Sequence, residues 1–262
     1  MNSIKLTVVT INLNNVSGLK ATVGSVLSQT LKNFEYFVAD GMSTDGGKEY
    51  LESLTDPRLN FVCEKDQGIY FAQNKGIKMT NGEYILFLNS GDVLAKDTTL
   101  EEILSSQLSS DLIYGDMFIE SVTGFRKLGK QPSKISLTHL LLDTIWHPAC
   151  LIKRDLFDKF GLYNTEFKIV ADYEFWLRIF SSKSVSIKYI PVVFSKFNLE
   201  GLSSAPENRT RLIREREIAQ SLYYDRSTLF LFRDIPSLVR SFFFVCRSFL
   251  KKFLITINLI RR

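Results

Sequence analysis

Cysteine is scarce in this sequence, with three residues among 262. Cys63, Cys150 and Cys246 are scattered and odd in number, which excludes a disulfide framework or a closely spaced thiolate zinc site and fits a reducing cytosol. The first apolar stretch is short, alternates with Thr7 and Thr10 and lacks a small-residue cleavage site, so it reads as a buried strand and not as a leader. Internal repeats and low-complexity linkers are missing. So is a basic, glycine-rich triphosphate loop near the first strand, and no nucleic-acid recognition motif occurs. Acidic residues stop at Asp234, which leaves the last stretch with charge of one sign.

What is present is ordinary for a globular protein: 45% hydrophobic and 23% charged residues. The length suits one large α/β domain with a short appendage. The net charge of +5 is concentrated at the end of the chain, where Arg240, Arg247, Lys251 and Lys252 interleave with phenylalanines and aliphatics. From Leu238 to Ile260 the apolar residues recur at three- and four-residue spacing. This pattern predicts a helix lying on an anionic membrane surface, with the basic residues breaking any spanning run. A helix docked on the protein's own core or on a second subunit satisfies the same pattern, and the oligomeric state stays open.

Four short apolar runs, 6–11, 34–39, 59–62 and 84–88, alternate with segments of helical spacing at 19–28 and 69–79. Such alternation predicts parallel β-α-β units with helices on both faces of the sheet, and a ligand at the carboxyl ends of the strands. Further on, hairpin strands are expected at 112–119 and 125–128, a strand at 149–153, a helix at 171–180, two strands at 185–190 and 192–197, and a charged helix at 209–224. The expected division is a domain over 1–205, in two halves over 1–95 and 96–205, followed by a helical extension over 206–262.

The strand ends carry the acids. The second strand runs into Asp40-Gly41-Met42-Ser43-Thr44-Asp45-Gly46, where Asp40 either accepts from a base or ribose or closes an Asx-turn, and Asp45 caps the following helix. The fourth ends in Asn89-Ser90-Gly91-Asp92, where Asp92 either meets a hard cation on a diphosphate or caps the next helix. Asp172 either serves as a general base or caps the helix that contains Phe175 and Trp176.

Taken together, these turns resemble those of the family-2 glycosyltransferases of GT-A fold: a Rossmann-like, mostly parallel sheet flanked by helices, here with a C-terminal amphipathic helical tail. Thr10 and Asn14, the Ser25–Thr30 run, Asp40–Gly46, Glu64–Tyr70, Asn74-Lys75-Gly76-Ile77 and Gly82–Ile85 fall in the family's order. The resemblance implies that Thr10, Asn12, Asn14, Asp40, Asp66, Lys75, Asn89, Ser90 and Gly91 form the nucleotide-sugar site. It implies that Asp92 is the metal-binding aspartate for Mn²⁺ or Mg²⁺. Many relatives have acids where Asn89 and Gly91 stand, so Asp92 carries the ion with less carboxylate help. Asp172 matches the family's base, with Ala171 in place of a preceding glutamate and Glu174 as the reserve. His147, Trp146 and Ser203 are expected near the acceptor or a phosphate, with core packing and a plain loop as their alternatives.

The implied activity is inverting transfer of a hexosyl or N-acetylhexosaminyl group from a nucleoside-diphosphate sugar to a saccharide or lipid-linked acceptor in bacterial surface polysaccharide synthesis. The expected location is the cytoplasmic face of the plasma membrane. A sugar-phosphate nucleotidyltransferase and a non-catalytic, membrane-peripheral nucleotide-sugar-binding module are the competing classes.

Overall fold

The computed structural model describes residues 5–106, 108–121, 123–199, 201, 204–239 and 242. The basic tail from 243 onward, and Ser203, lie outside the described residues.

Strands β1 (Leu6–Asn12), β2 (Glu35–Asp40), β3 (Leu59–Cys63) and β4 (Tyr84–Phe87) pair in parallel in the order β3-β2-β1-β4. Helices α1 (Val16–Leu27), α2 (Gly47–Glu52) and α3 (Ile69–Met79) make the crossovers. The expectation of parallel β-α-β units therefore holds for the first half. Successive residues of β1 bury on opposite faces, Val8 in one core with Leu19 and Val23, Val9 in the other with Ile77 and Phe175. Two close approaches fix this stacking. A Cβ on Gly76 would lie 2.4 Å from Val9 Cγ1, and one on Gly82 would lie 2.6 Å from the backbone nitrogen of Thr7.

The sheet continues through β5 (Val93–Leu94), β6 (Leu112–Glu120), β7 (Arg126–Gly129), β8 (Cys150–Lys153) and β9 (Ile187–Asn198). After β4 the order is β8-β6-β9-β5, with β7 paired to β6. β8 is antiparallel to both β4 and β6, whereas β9 runs parallel to β6. Short helices α4 (Thr99–Ser105), α5 (Leu137–Leu142) and α6 (Asp155–Phe160) precede α7 (Ala171–Ser181), α8 (Arg209–Tyr223) and α9 (Arg226–Leu229).

One expectation fails. The two strands predicted at 185–190 and 192–197 are a single strand, and Pro191 does not end it. The register with β6 jumps from Tyr114↔Tyr189 to Asp116↔Val193, so Pro191 sits in a bulge where no ladder N–H is required. Gly115 makes room for that bulge, since a Cβ there would stand 2.5 Å from the Val192 carbonyl oxygen.

Candidate active site

β1, β2 and β4 all end at the same sheet edge, and the first cluster forms where β1 meets β2. Asn12 Nδ2 donates to Asp40 Oδ2 at 2.7 Å and to Ser43 Oγ at 3.1 Å. Ser43 returns its backbone N–H to Asp40 Oδ1 and its hydroxyl to Oδ2, both at 2.7 Å. Asp40 is 1% exposed, so its carboxylate is spent on closing the turn, the Asx alternative left open by the sequence. Asn14, at φ 49°, accepts from the Thr44 N–H at 2.9 Å and so ties the β1 end to the same loop.

Asp45 is not the cap expected of it, because Gly46 occupies the N-cap position of α2; it instead ties two elements together. One oxygen accepts from Gly47 N at 3.2 Å, the other from Val16 N at 2.7 Å at the start of α1. Asp66 Oδ1 accepts from Gly68 N at 2.9 Å. Its Oδ2 faces Gly41, where a Cβ would come within 3.0 Å. Lys75 pairs with Glu64 at 2.7 Å. Thr10 has no exposed surface, donates to the Leu88 carbonyl and accepts from the Tyr36 hydroxyl. That places Thr10 inside the sheet, out of reach of a ligand.

The second cluster is the turn after β4. Gly91, at φ +104°, donates its N–H to Thr22 Oγ1 at 2.9 Å, and Thr22 donates to the Asp92 carbonyl at 2.7 Å. Asn15, the N-cap of α1, reaches the Ser90 carbonyl at 3.2 Å. The turn is thus strapped to α1. Asp92 does not cap α4. Its Oδ1 accepts from the Asn198 N–H at 3.0 Å, and burial pushes its carboxyl up to about 7 against the lowering effect of that bond. Asn89 Oδ1 accepts from Gln73 Nε2 at 3.2 Å.

Among the described residues no group of three His, Cys, Asp or Glu side chains converges in a way that could hold a metal. A cation held by protein alone does not fit here. A cation that arrives with a diphosphate and keeps waters does, since it needs only one or two carboxylates, and Asp92 Oδ2 has no hydrogen-bond partner among the described residues.

Asp172 is the second residue of α7. Val170 occupies the N-cap position, so the capping alternative fails. Asp172 Oδ1 lies 2.8 Å from the Tyr70 hydroxyl. Asp172 and Asp92 line one cavity of about 910 Å³, together with Asn89, Ser90, Gly91, Trp146 and His147. Glu174 does not line that cavity: it is 1% exposed, and it binds Arg178 and the Tyr223 hydroxyl. Its buried ion pair removes it from the base role.

His147 contacts the Tyr163 hydroxyl at 2.9 Å and stacks on Phe87 at 4.8 Å. Burial holds its pKa below the ordinary imidazole value, which favours the neutral ring. Trp146 lines the cavity while its ring edge closes over Gly129. Gly201 and Ser204, on either side of Ser203, also line the cavity. Among the lining residues to which the sequence gives no role are Tyr70, Asn198 and Arg216, whose guanidinium lies over the Tyr173 ring at 3.9 Å. The partners of all three are distant in sequence.

A sheet whose first four strands are parallel, with an acidic strand-end turn opening on a cavity that Asp172 also lines, is the arrangement expected of a glycosyltransferase of GT-A architecture. The model of the family "Glycosyl transferase family 2" matches residues 7–161, and the chain belongs to that family. Asp172 lies beyond the matched stretch. The chain is 34% identical over 201 residues to the PGL/p-HBAD biosynthesis glycosyltransferase of Mycobacterium bovis, covering 73% of this chain and 76% of the relative. It is 27% identical to the Escherichia coli UDP-Glc:alpha-D-GlcNAc-diphosphoundecaprenol beta-1,3-glucosyltransferase WfaP, over 77% of this chain and 80% of that one. Among solved structures, residues 1–349 of S. aureus TarS in complex with UDP-GlcNAc superpose with a TM-score of 0.64 at 19% identity, over 82% of this chain and 66% of that one.

Proposed function

We propose that the chain is an inverting glycosyltransferase that moves a sugar from a nucleoside-diphosphate donor to a lipid-linked or saccharide acceptor. The observation that carries this reading is the single cavity shared by Asp92 and Asp172. In one displacement the acceptor hydroxyl attacks the anomeric carbon while Asp172 takes its proton, and the diphosphate departs at the Asp92 end. A divalent cation, Mn²⁺ or Mg²⁺, held by Asp92 and the donor would neutralise charge on the leaving group.

The strand-end cluster of Asn12, Asn14 and the Asp40 turn, with Asp66 beside Gly41, would seat the nucleoside, and Asp66 Oδ2 is the carboxylate oxygen there without a described hydrogen-bond partner. The relative WfaP is named for a diphosphoundecaprenol acceptor, which supports a lipid-linked acceptor here. The test is a screen of UDP-, GDP- and dTDP-sugars with Mn²⁺ and lipid-diphosphate acceptors, followed by NMR of the product. An α-linked donor is expected to give a β-linked product. A retained anomer would remove the single-displacement mechanism, and pyrophosphate release from a nucleoside triphosphate with a sugar phosphate would favour nucleotidyl transfer.

The extension supports action at a membrane. Among the described residues no helix is long and apolar enough to cross a bilayer. Yet Phe230, Leu231, Ile235, Leu238, Val239 and Phe242 are all exposed, immediately before the basic stretch. The protein is expected to sediment with vesicles rich in anionic lipid, less so at high salt, and not with neutral vesicles. Binding to neither kind would argue instead for a partner subunit on this surface, and equal binding to both would remove the preference for anionic lipid.

A further inference from the structure

Tyr70 is the second residue of α3, packed at 5.7 Å from the Tyr163 ring. Its hydroxyl oxygen lies 2.7 Å from the Ile169 carbonyl oxygen and 2.8 Å from Asp172 Oδ1. A phenol carries one proton, and both opposing oxygens are acceptors while Asp172 is ionised. Burial, reinforced by the neighbouring Asp172 charge, raises the Tyr70 pKa well above the ordinary phenol value, so the hydroxyl keeps that proton. One donor therefore stands between two acceptors at nearly equal distance. One acceptor is the carbonyl at the entry to α7, the other the carboxylate on its first turn.

We propose that Tyr70 is the positioning residue for Asp172, with a hydroxyl that exchanges between these two acceptors during turnover. Before transfer it donates to Oδ1, a charge-assisted bond that fixes the carboxylate plane and leaves Oδ2 as the oxygen offered to the acceptor. On transfer the acceptor O–H bond breaks and its proton passes to Asp172. The electron pair of that bond forms the new bond to the anomeric carbon, and the pair of the old glycosidic bond leaves with the diphosphate. Asp172 is then neutral and a weaker acceptor, and the Tyr70 proton turns to the Ile169 carbonyl. Tyr70 neither gains nor loses a proton. Its two-acceptor seat keeps the hydroxyl bonded in both states of the base, so the base need not move to be satisfied.

This rests on the reading of Asp172 as the base, and the test separates the two. Tyr70→Phe keeps the ring and its packing and removes only the hydroxyl. The expected result is a kcat lower by about 10- to 100-fold, with the KM values for donor and acceptor within about twofold of wild type and the UDP-bound melting temperature nearly unchanged. A kcat near wild type, alongside an inactive Asp172→Asn, would overturn the positioning role and leave the base in place. A fall in melting temperature with KM raised in step would make Tyr70 a structural prop and also overturn it. An active Asp172→Asn would remove the base reading and this inference together.

Discussion

Replacing Asp172 with asparagine is expected to cut kcat by about 10²- to 10⁴-fold, the range that a positioned general base supplies. Donor binding measured by calorimetry should stay within about twofold. The substitution is nearly isosteric, and an amide oxygen can still accept from Tyr70, so the seat of the side chain survives while its basicity does not. The neighbouring acid cannot substitute, because Glu174 is buried in its pairing with Arg178 and Tyr223. His147 cannot readily take over, since its Nε2 is engaged with Tyr163 and its ring stacks on Phe87. Turnover within tenfold of wild type would remove Asp172 from the chemistry.

Asp92→Asn should have opposite effects on activity and stability. A carboxyl whose ordinary value is 3.8 and which the fold pushes to about 7 holds a proton in the folded chain that the unfolded chain has already released. Stability therefore falls as pH rises through that window, by about 1.4 kcal/mol per pH unit. Above neutral pH the wild-type chain carries a buried charge that an amide does not. At pH 8 without metal, the variant is expected to melt several degrees higher than wild type. Transfer should nevertheless drop by about 10²-fold or more, the scale of a lost electrostatic contact in a transition state. Adding Mn²⁺ to the UDP-saturated protein should raise the melting temperature of wild type and hardly move that of the variant. An equal shift in both proteins would show that Asp92 does not hold the cation.

The sequence carried the edge of the sheet better than the interior of the site. Short apolar runs broken by small polar turns located β1 to β4 and placed Asp92 in the turn that follows the fourth, because local spacing alone dictates where those side chains emerge. The alternatives at Asp40 separated only when the Ser43 contacts were known, although that partner is three residues away. Elsewhere the deciding contacts were remote. Tyr70 meets Asp172 across 102 residues, Asn198 meets Asp92 across 106, and Glu174 meets Tyr223 across 49. A periodicity argument has no access to such pairs. The continuous β9 was hidden for a different reason: Pro191 is a strand breaker unless a bulge absorbs it, and the bulge depends on Gly115 in another strand.

The packing of α8 on α7 has a consequence for the making of the enzyme. Gln220 donates to the Leu141 carbonyl and to the Tyr173 hydroxyl, and Arg216 donates to the Asp143 carbonyl, so α8 is stitched to α7 and to α5 before it. On a ribosome β1–β4 emerge first, and α7 emerges some fifty residues ahead of Tyr223, to which its Glu174 binds. A nascent chain thus holds its strand-end turns long before the helix that carries Asp172 is fully packed. The cavity, which Leu212 and Arg216 help to line, is complete only once synthesis has passed α8.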